Sequence, residues 1–190
     1  MGSSHRARRR EHHGGGDGLS FGNKLARTAW AFVYHTIFRW IPPPLHGVRR
    51  AILRAFGARL RGDCHIYPRV HIWAPWNLRM DDGACLGPGV ICYNVAMVSL
   101  GRNARVSQYA HLCAASHDHE VRSMPLISAP ITIGPGAWVC AEAFVAMGVT
   151  IGRDAVIGAR AVVTKDMPAG MVCHGFPCRP VRPRWKDASR

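Results

Sequence analysis

Between Ile127 and Val163 an apolar residue stands at every sixth position: Ile127, Ile133, Val139, Val145, Ile151, Ile157 and Val163. Four positions after each of the first six come Ile131, Ala137, Ala143, Val149, Ala155 and Ala161, mostly small. A helix repeats every 3.6 residues and a strand every two, so neither alone sustains a period of six. A solenoid of short strands does. Three hexads make one triangular coil, and the leading aliphatic of each points into the prism. The small residues then sit near corners, where the backbone turns and a large side chain would not fit.

The same period runs less cleanly upstream, through Ile66, Ile72, Leu78, then Met80, Leu86, Cys92, Val98, then Leu100, Val106, Leu112. Two shifts of two residues, 78 to 80 and 98 to 100, break the phase, and such insertions belong at corners. After Leu112 the count resumes only at Ile127, so Asp118–Leu126 reads as an excursion from the wall, with His117 just before it. The expected division is a basic tail over 1–18, a helical cap over 19–60, the solenoid over 61–168 with its loop 118–126, and a Pro- and Arg-rich tail over 169–190.

From Asn23 to Ile41 the pattern is helical and very apolar, with Asn23 as the expected N-cap and Pro42-Pro43-Pro44 forbidding continuation. A second helix is expected over Leu45–Phe56, with Leu45, Val48, Ile52 and Phe56 as its buried stripe, Arg50 and Arg54 opposite, and Gly57 as terminator. The first stretch falls short of the roughly 20 residues of a membrane span. The helices therefore cap the open end of the solenoid, or lie on an anionic membrane surface with Trp30, Trp40 and the arginines at headgroup level.

A net charge of +14 favours acidic partners: lipid, nucleic acid or a polyphosphorylated cofactor. No nucleic-acid-binding motif accompanies the basic residues, so nucleic acid is not an expected partner. Residues 1–18, with Arg6, Arg8, Arg9, Arg10 and the Gly14–Gly16 run, read as disordered. The first 20 residues hold no apolar signal region, and seven cysteines without a CxxC pair suit a reducing compartment. The expected location is cytoplasmic, at most on the inner membrane face.

Residues 127–182 resemble the hexapeptide-repeat acetyltransferases of the maltose and galactoside type. The matching stretches are Pro130 to Trp138, Gly148 to Gly152, Val163 to Asp166 and Gly175 to Arg179. The segments His65 to Pro68, Ile72 to Asn77 and Leu112 to Asp118, together with the helical N-terminus, are similar to the colanic acid biosynthesis branch of that family. The resemblance implies an all-β solenoid, a left-handed parallel β-helix with an N-terminal helical segment and a short C-terminal tail. It also implies a homotrimer with clefts between subunits, acetyl-CoA as co-substrate, a sugar or glycan hydroxyl as acceptor, and no metal.

By the same resemblance His117 is the general base and Asn94, in Cys92-Tyr93-Asn94, touches the acceptor. Imidazole suits the first role, because a sugar hydroxyl must lose its proton as it attacks the thioester. Asn94 also suits a plain corner residue. Trp138, Ala141, Ala159, Thr164, Lys165, Arg179 and Arg182 are the implied cofactor contacts: small residues beside the pantetheine arm, cations on the phosphates. Two other readings stand beside this one. A carbonic anhydrase on the same fold would hold zinc with His111, His117 or His119. A non-catalytic scaffold or membrane-associated assembly module would need the hexads but neither His117 nor CoA.

Overall fold

The structure is a computed structural model that describes residues 11–12 and 20–186. Short strands stack into three parallel ladders, one per side of a prism. The first face holds Arg59–Leu60, Leu78–Met80, Val98–Leu100, Ile131–Ile133 and Thr150–Ile151. The second holds His65–Ile66, Cys85–Leu86, Arg105–Val106, Trp138–Val139 and Val156–Ile157. The third holds His71–Ile72, Ile91–Tyr93, His111–Cys113, Phe144–Val145 and Val162–Val163. This is the solenoid that the hexads predict.

Register follows from burial. Leu86, Val106, Val139 and Ile157 stack on the second face, and Cys92, Leu112, Val145 and Val163 on the third, each at most 1% exposed. A slip of one residue would turn such a row out to water, so the row fixes the register. The small residues Ala137, Ala143, Ala155 and Ala161 are equally buried just past the corners. Coils approach closely there: a Cβ on Gly152 would stand 2.5 Å from the Ala169 nitrogen, so only glycine fits.

Ile127 departs from the expectation that it leads a hexad. It lies opposite Ser116 in an antiparallel hairpin, Ala115–His117 against Leu126–Ser128, that stands off the prism. Ile131 and Ile133 re-enter the wall instead, beside Val98 and Leu100. The excursion thus has strand walls of its own. The wall also begins earlier than its period, since Leu60 pairs with Met80. At the other end, in the stretch read as a short Pro- and Arg-rich tail, Met171–Gly175 and Cys178–Pro183 form an antiparallel hairpin that extends the second face.

Helix α1 spans Phe21–Thr36, capped by the Ser20 hydroxyl, which accepts from the Asn23 N–H. Asn23 is therefore inside the helix, and Phe38–Trp40 follow as a separate 3-10 turn. Helix α2 spans His46–Ala55. Gly57, at φ +86°, ends it: its N–H reaches the Arg54 carbonyl and the Ala58 N–H the Leu53 carbonyl, the paired bonds of a Schellman stop.

The buried face of α2 differs from the expected one. Arg49 and Leu53 are wholly buried, while Leu45 and Val48 are each 45% exposed. The cause is the proline run before the helix. Arg49 turns inward to donate to the carbonyls of Pro43, within that run, and of Ile41, just before it. Trp30, Tyr34, Phe38 and Leu53 join the solenoid interior as one core, so the helices cover its first coil. Trp30 fastens α1 by donating to the Ile72 carbonyl at 2.7 Å.

The basic tail expected over 1–18 lies outside the described residues except at Glu11–His12. That pair adds an antiparallel strand to Ile127–Ser128 of the hairpin.

Candidate active site

His117 ends the outgoing strand of the hairpin, opposite Leu126, and its side chain is exposed. The turn beyond it is closed by the Asp118 N–H to the Pro125 carbonyl at 2.9 Å and by the Glu120 N–H to the Asp118 carboxylate at 3.1 Å. Met124 sits at φ +43°, and its carbonyl points back at the imidazole, 2.7 Å from His117 Nδ1. A carbonyl only accepts, so Nδ1 carries the proton of the neutral ring. Nε2 keeps its lone pair, on a residue exposed to solvent. A base needs this tautomer, and a backbone group sets it.

Asn94 is placed differently from a ligand-facing side chain. It is 0% exposed; its amide accepts from the Ala74 N–H at 3.0 Å and donates to the Ala74 carbonyl at 2.6 Å. Asn77 donates to the carbonyls of Asn94 and Val95 at the same corner. These bonds tie two neighbouring coils together at the corner.

The implied cofactor residues divide into two groups. Trp138 is outward on the second face, where its indole N–H donates to the Ser107 hydroxyl at 2.8 Å. Ala141 and Ala159 stack at the corner between the second and third faces, joined by the Arg160 N–H to the Ala141 carbonyl. Beside them an Arg160–Glu142 ion pair at 2.7 Å borders this small-residue ledge. Arg179 and Arg182 are exposed on the terminal hairpin that extends the same face. Each uses one Nη1 on a backbone carbonyl and has further N–H donors to offer an anion. A thin chain ending in phosphates fits this row of small residues and arginines.

Thr164 and Lys165 are exposed at the other end of the third face, after Val162–Val163. His117 follows the third-face strand His111–Cys113 on that same side. One chain therefore keeps His117 and the alanine ledge at opposite corners of one face. At about 3.3 Å per residue, the five positions from Ala110 to Ala114 separate those corners by roughly 15 Å.

None of the seven cysteines is an activated nucleophile. Burial raises the pKa of every thiol: Cys92 to about 12, Cys178 to about 11, and Cys64, Cys85, Cys113, Cys140 and Cys173 in the same direction. A raised pKa keeps sulfur protonated near neutrality. His111, half-buried on the third face, packs edge-on against the Phe144 ring at 5.3 Å. Among the described residues no group of three or more His, Cys, Asp or Glu side chains is placed to hold a metal ion.

No protein-family model matches the chain. It is 39% identical over 167 residues to WcaF of Escherichia coli (strain K12), assigned as a colanic acid biosynthesis acetyltransferase; the match covers 88% of this chain and 92% of that one. Among solved structures it is similar to a galactoside acetyltransferase in complex with coenzyme A, at TM-score 0.71 and 25% identity over 87% of this chain and 84% of that one. A hexapeptide-repeat acetyltransferase of Vibrio cholerae O1 biovar eltor, complexed with acetyl coenzyme A, shares the fold at TM-score 0.80 and 22% identity, with 89% and 92% covered. The length of the first match and the solenoid it falls on lead to one conclusion: the chain belongs to the hexapeptide-repeat acetyltransferases, a family of CoA-dependent O-acetyltransferases.

Proposed function

We propose that this protein transfers an acetyl group from acetyl-CoA to a hydroxyl of a sugar in exopolysaccharide synthesis, with His117 as general base. The observation that carries the reading is the bond from His117 Nδ1 to the Met124 carbonyl, which leaves Nε2 as a free acceptor on an outward-facing hairpin. In the step itself Nε2 takes the proton of the attacking hydroxyl. Its oxygen bonds to the thioester carbonyl carbon, and the C–S bond breaks to release CoA. The proton on Nε2 then passes to the departing sulfur or to solvent. The raised thiol pKa values support direct transfer over an acyl-cysteine.

The separation of His117 from Ala141 and Ala159 supports a site shared between copies. A cyclic trimer sets the corner of one prism against the next, so the base of one chain meets the ledge of its neighbour. In this arrangement the arginines of the terminal hairpin hold the CoA phosphates, and Trp138 flanks the arm. The acceptor assignment leans on the kinship with WcaF.

Release of CoA thiol from acetyl-CoA tests the reading, measured against nucleotide sugars, free sugars and oligosaccharide repeat units. Turnover on at least one glycosyl acceptor, with light scattering at three chains, is the expected outcome. Uptake of zinc with carbon dioxide hydration and no thiol release would hand the site to the carbonic anhydrase reading. Absence of both activities would leave a scaffold.

A further inference from the structure

Helix α1 is apolar on two opposite sides. At about 100° per residue, Trp30 and Tyr34 face one way, and Phe21, Leu25 and Phe32 point roughly 180° from them. The first side is accounted for: Trp30 is 3% exposed, donates to Ile72 and packs edge-on against Phe38 and Phe56. The second has no cover among the described residues. Phe21 is 83% exposed, Leu25 63% and Phe32 69%, and the stripe continues past the helix through Ile37 and Trp40. A helix apolar all round is ordinarily buried on both sides, and a patch of this kind marks a contact.

Charge names the occupant. Between Ser20 and Gly62 stand eight Lys and Arg residues and no carboxylate. Arg49 is buried and Arg50 is paired with Asp63, which leaves Arg27, Arg39, Arg54, Arg59 and Arg61 to give this end its positive field. Arg39 lies over the exposed Trp40 ring at 4.9 Å, an indole and a cation side by side at the edge of an apolar stripe. That pairing suits the boundary between headgroups and acyl chains. A symmetric contact between two such faces would set cation against cation with no acid to answer it. No helix among the described residues is long and apolar enough to cross a membrane, so the contact lies in the interface plane.

We propose that the outer side of α1, continued through Ile37 and Trp40, docks on a bilayer surface carrying anionic headgroups. The three large side chains of the helix enter the acyl boundary, and the basic residues around them meet the headgroups. Docking is separate from acetyl transfer and uses none of the residues assigned to it.

The full chain is mixed with vesicles of phosphatidylcholine alone, or of phosphatidylcholine with phosphatidylglycerol, and sedimented at low and high salt. Wild type is expected to pellet with the anionic vesicles only, and less as salt rises. The exposed-face double variant Leu25→Glu/Phe32→Glu is expected to pellet at least about tenfold less, with unchanged light-scattering mass, melting and thiol-release rate on a water-soluble acceptor. Trp40→Ser serves as a second probe with a smaller loss. Failure of wild type to pellet at low salt overturns the proposal. So does pelleting that both variants leave intact, which would assign binding to charge alone. A changed mass in the double variant also overturns it and makes this face a contact between copies.

Discussion

His117 and Met124 are tied across the hairpin by one bond, from imidazole Nδ1 to a backbone carbonyl 2.7 Å away. The ring's tautomer therefore depends on the path of the turn between them, and the turn is held by Asp118. Its carboxylate accepts from the Glu120 N–H, and its own N–H closes on Pro125.

Asp118→Ala removes the carboxylate but leaves the main-chain closure. One ordinary hydrogen bond is worth about 1 kcal/mol. The expected result is a roughly three- to tenfold fall in kcat with the KM for acetyl-CoA unchanged. An unaltered kcat would mean that the main chain alone aims the Met124 carbonyl.

Asn94→Ala strands the N–H of Ala74, a residue only 2% exposed, whose carbonyl keeps the Asn77 N–H at 3.0 Å. One buried group without a partner costs about 1–3 kcal/mol, a fall in melting temperature of roughly 2–12 °C for a chain of this size. Calorimetry checks this, with acceptor KM measured at a temperature where the variant is folded. A normal melting point with a raised acceptor KM would return Asn94 to the acceptor site.

Burial lowers the pKa of His111 beneath the ordinary imidazole value. As pH falls, the unfolded chain takes up this proton before the folded one does. The stabilising contribution is therefore whole above about pH 6.5 and is lost as pH drops through that value toward the lower folded one. His111→Leu is expected to flatten the acid side of a plot of melting temperature against pH. An acid limb as steep as that of wild type would assign the loss to other groups, His71 first, which burial and His35 shift the same way.

The wall was legible because its period is a property of side chains: the inward rows from Ile133 to Val163 fall where the hexads put them. Ile127 misled because it is apolar, in phase and buried, yet it lies in the hairpin and takes no part in the core cluster of the prism. No count of residues tells those apart. The orientation of α2 was hidden for another reason. A stripe of Leu45, Val48, Ile52 and Phe56 is the better apolar face, but Arg49 answers carbonyls in and just before the proline run, and hydropathy does not weigh backbone partners. At the site, His117 was visible as a side chain beside a broken repeat. Its orienting partner is a carbonyl, which every residue has, and only the fold says which one.

The central claim is that His117 Nε2 removes the acceptor proton, and His117→Ala measured on a verified acceptor tests it most directly. The account predicts a fall in kcat of about 10²–10⁴, with melting temperature, light-scattering mass and acetyl-CoA affinity close to wild type. His119→Ala, exposed two residues away, is predicted to cost far less. Near-normal turnover by His117→Ala would contradict the account and place the base elsewhere.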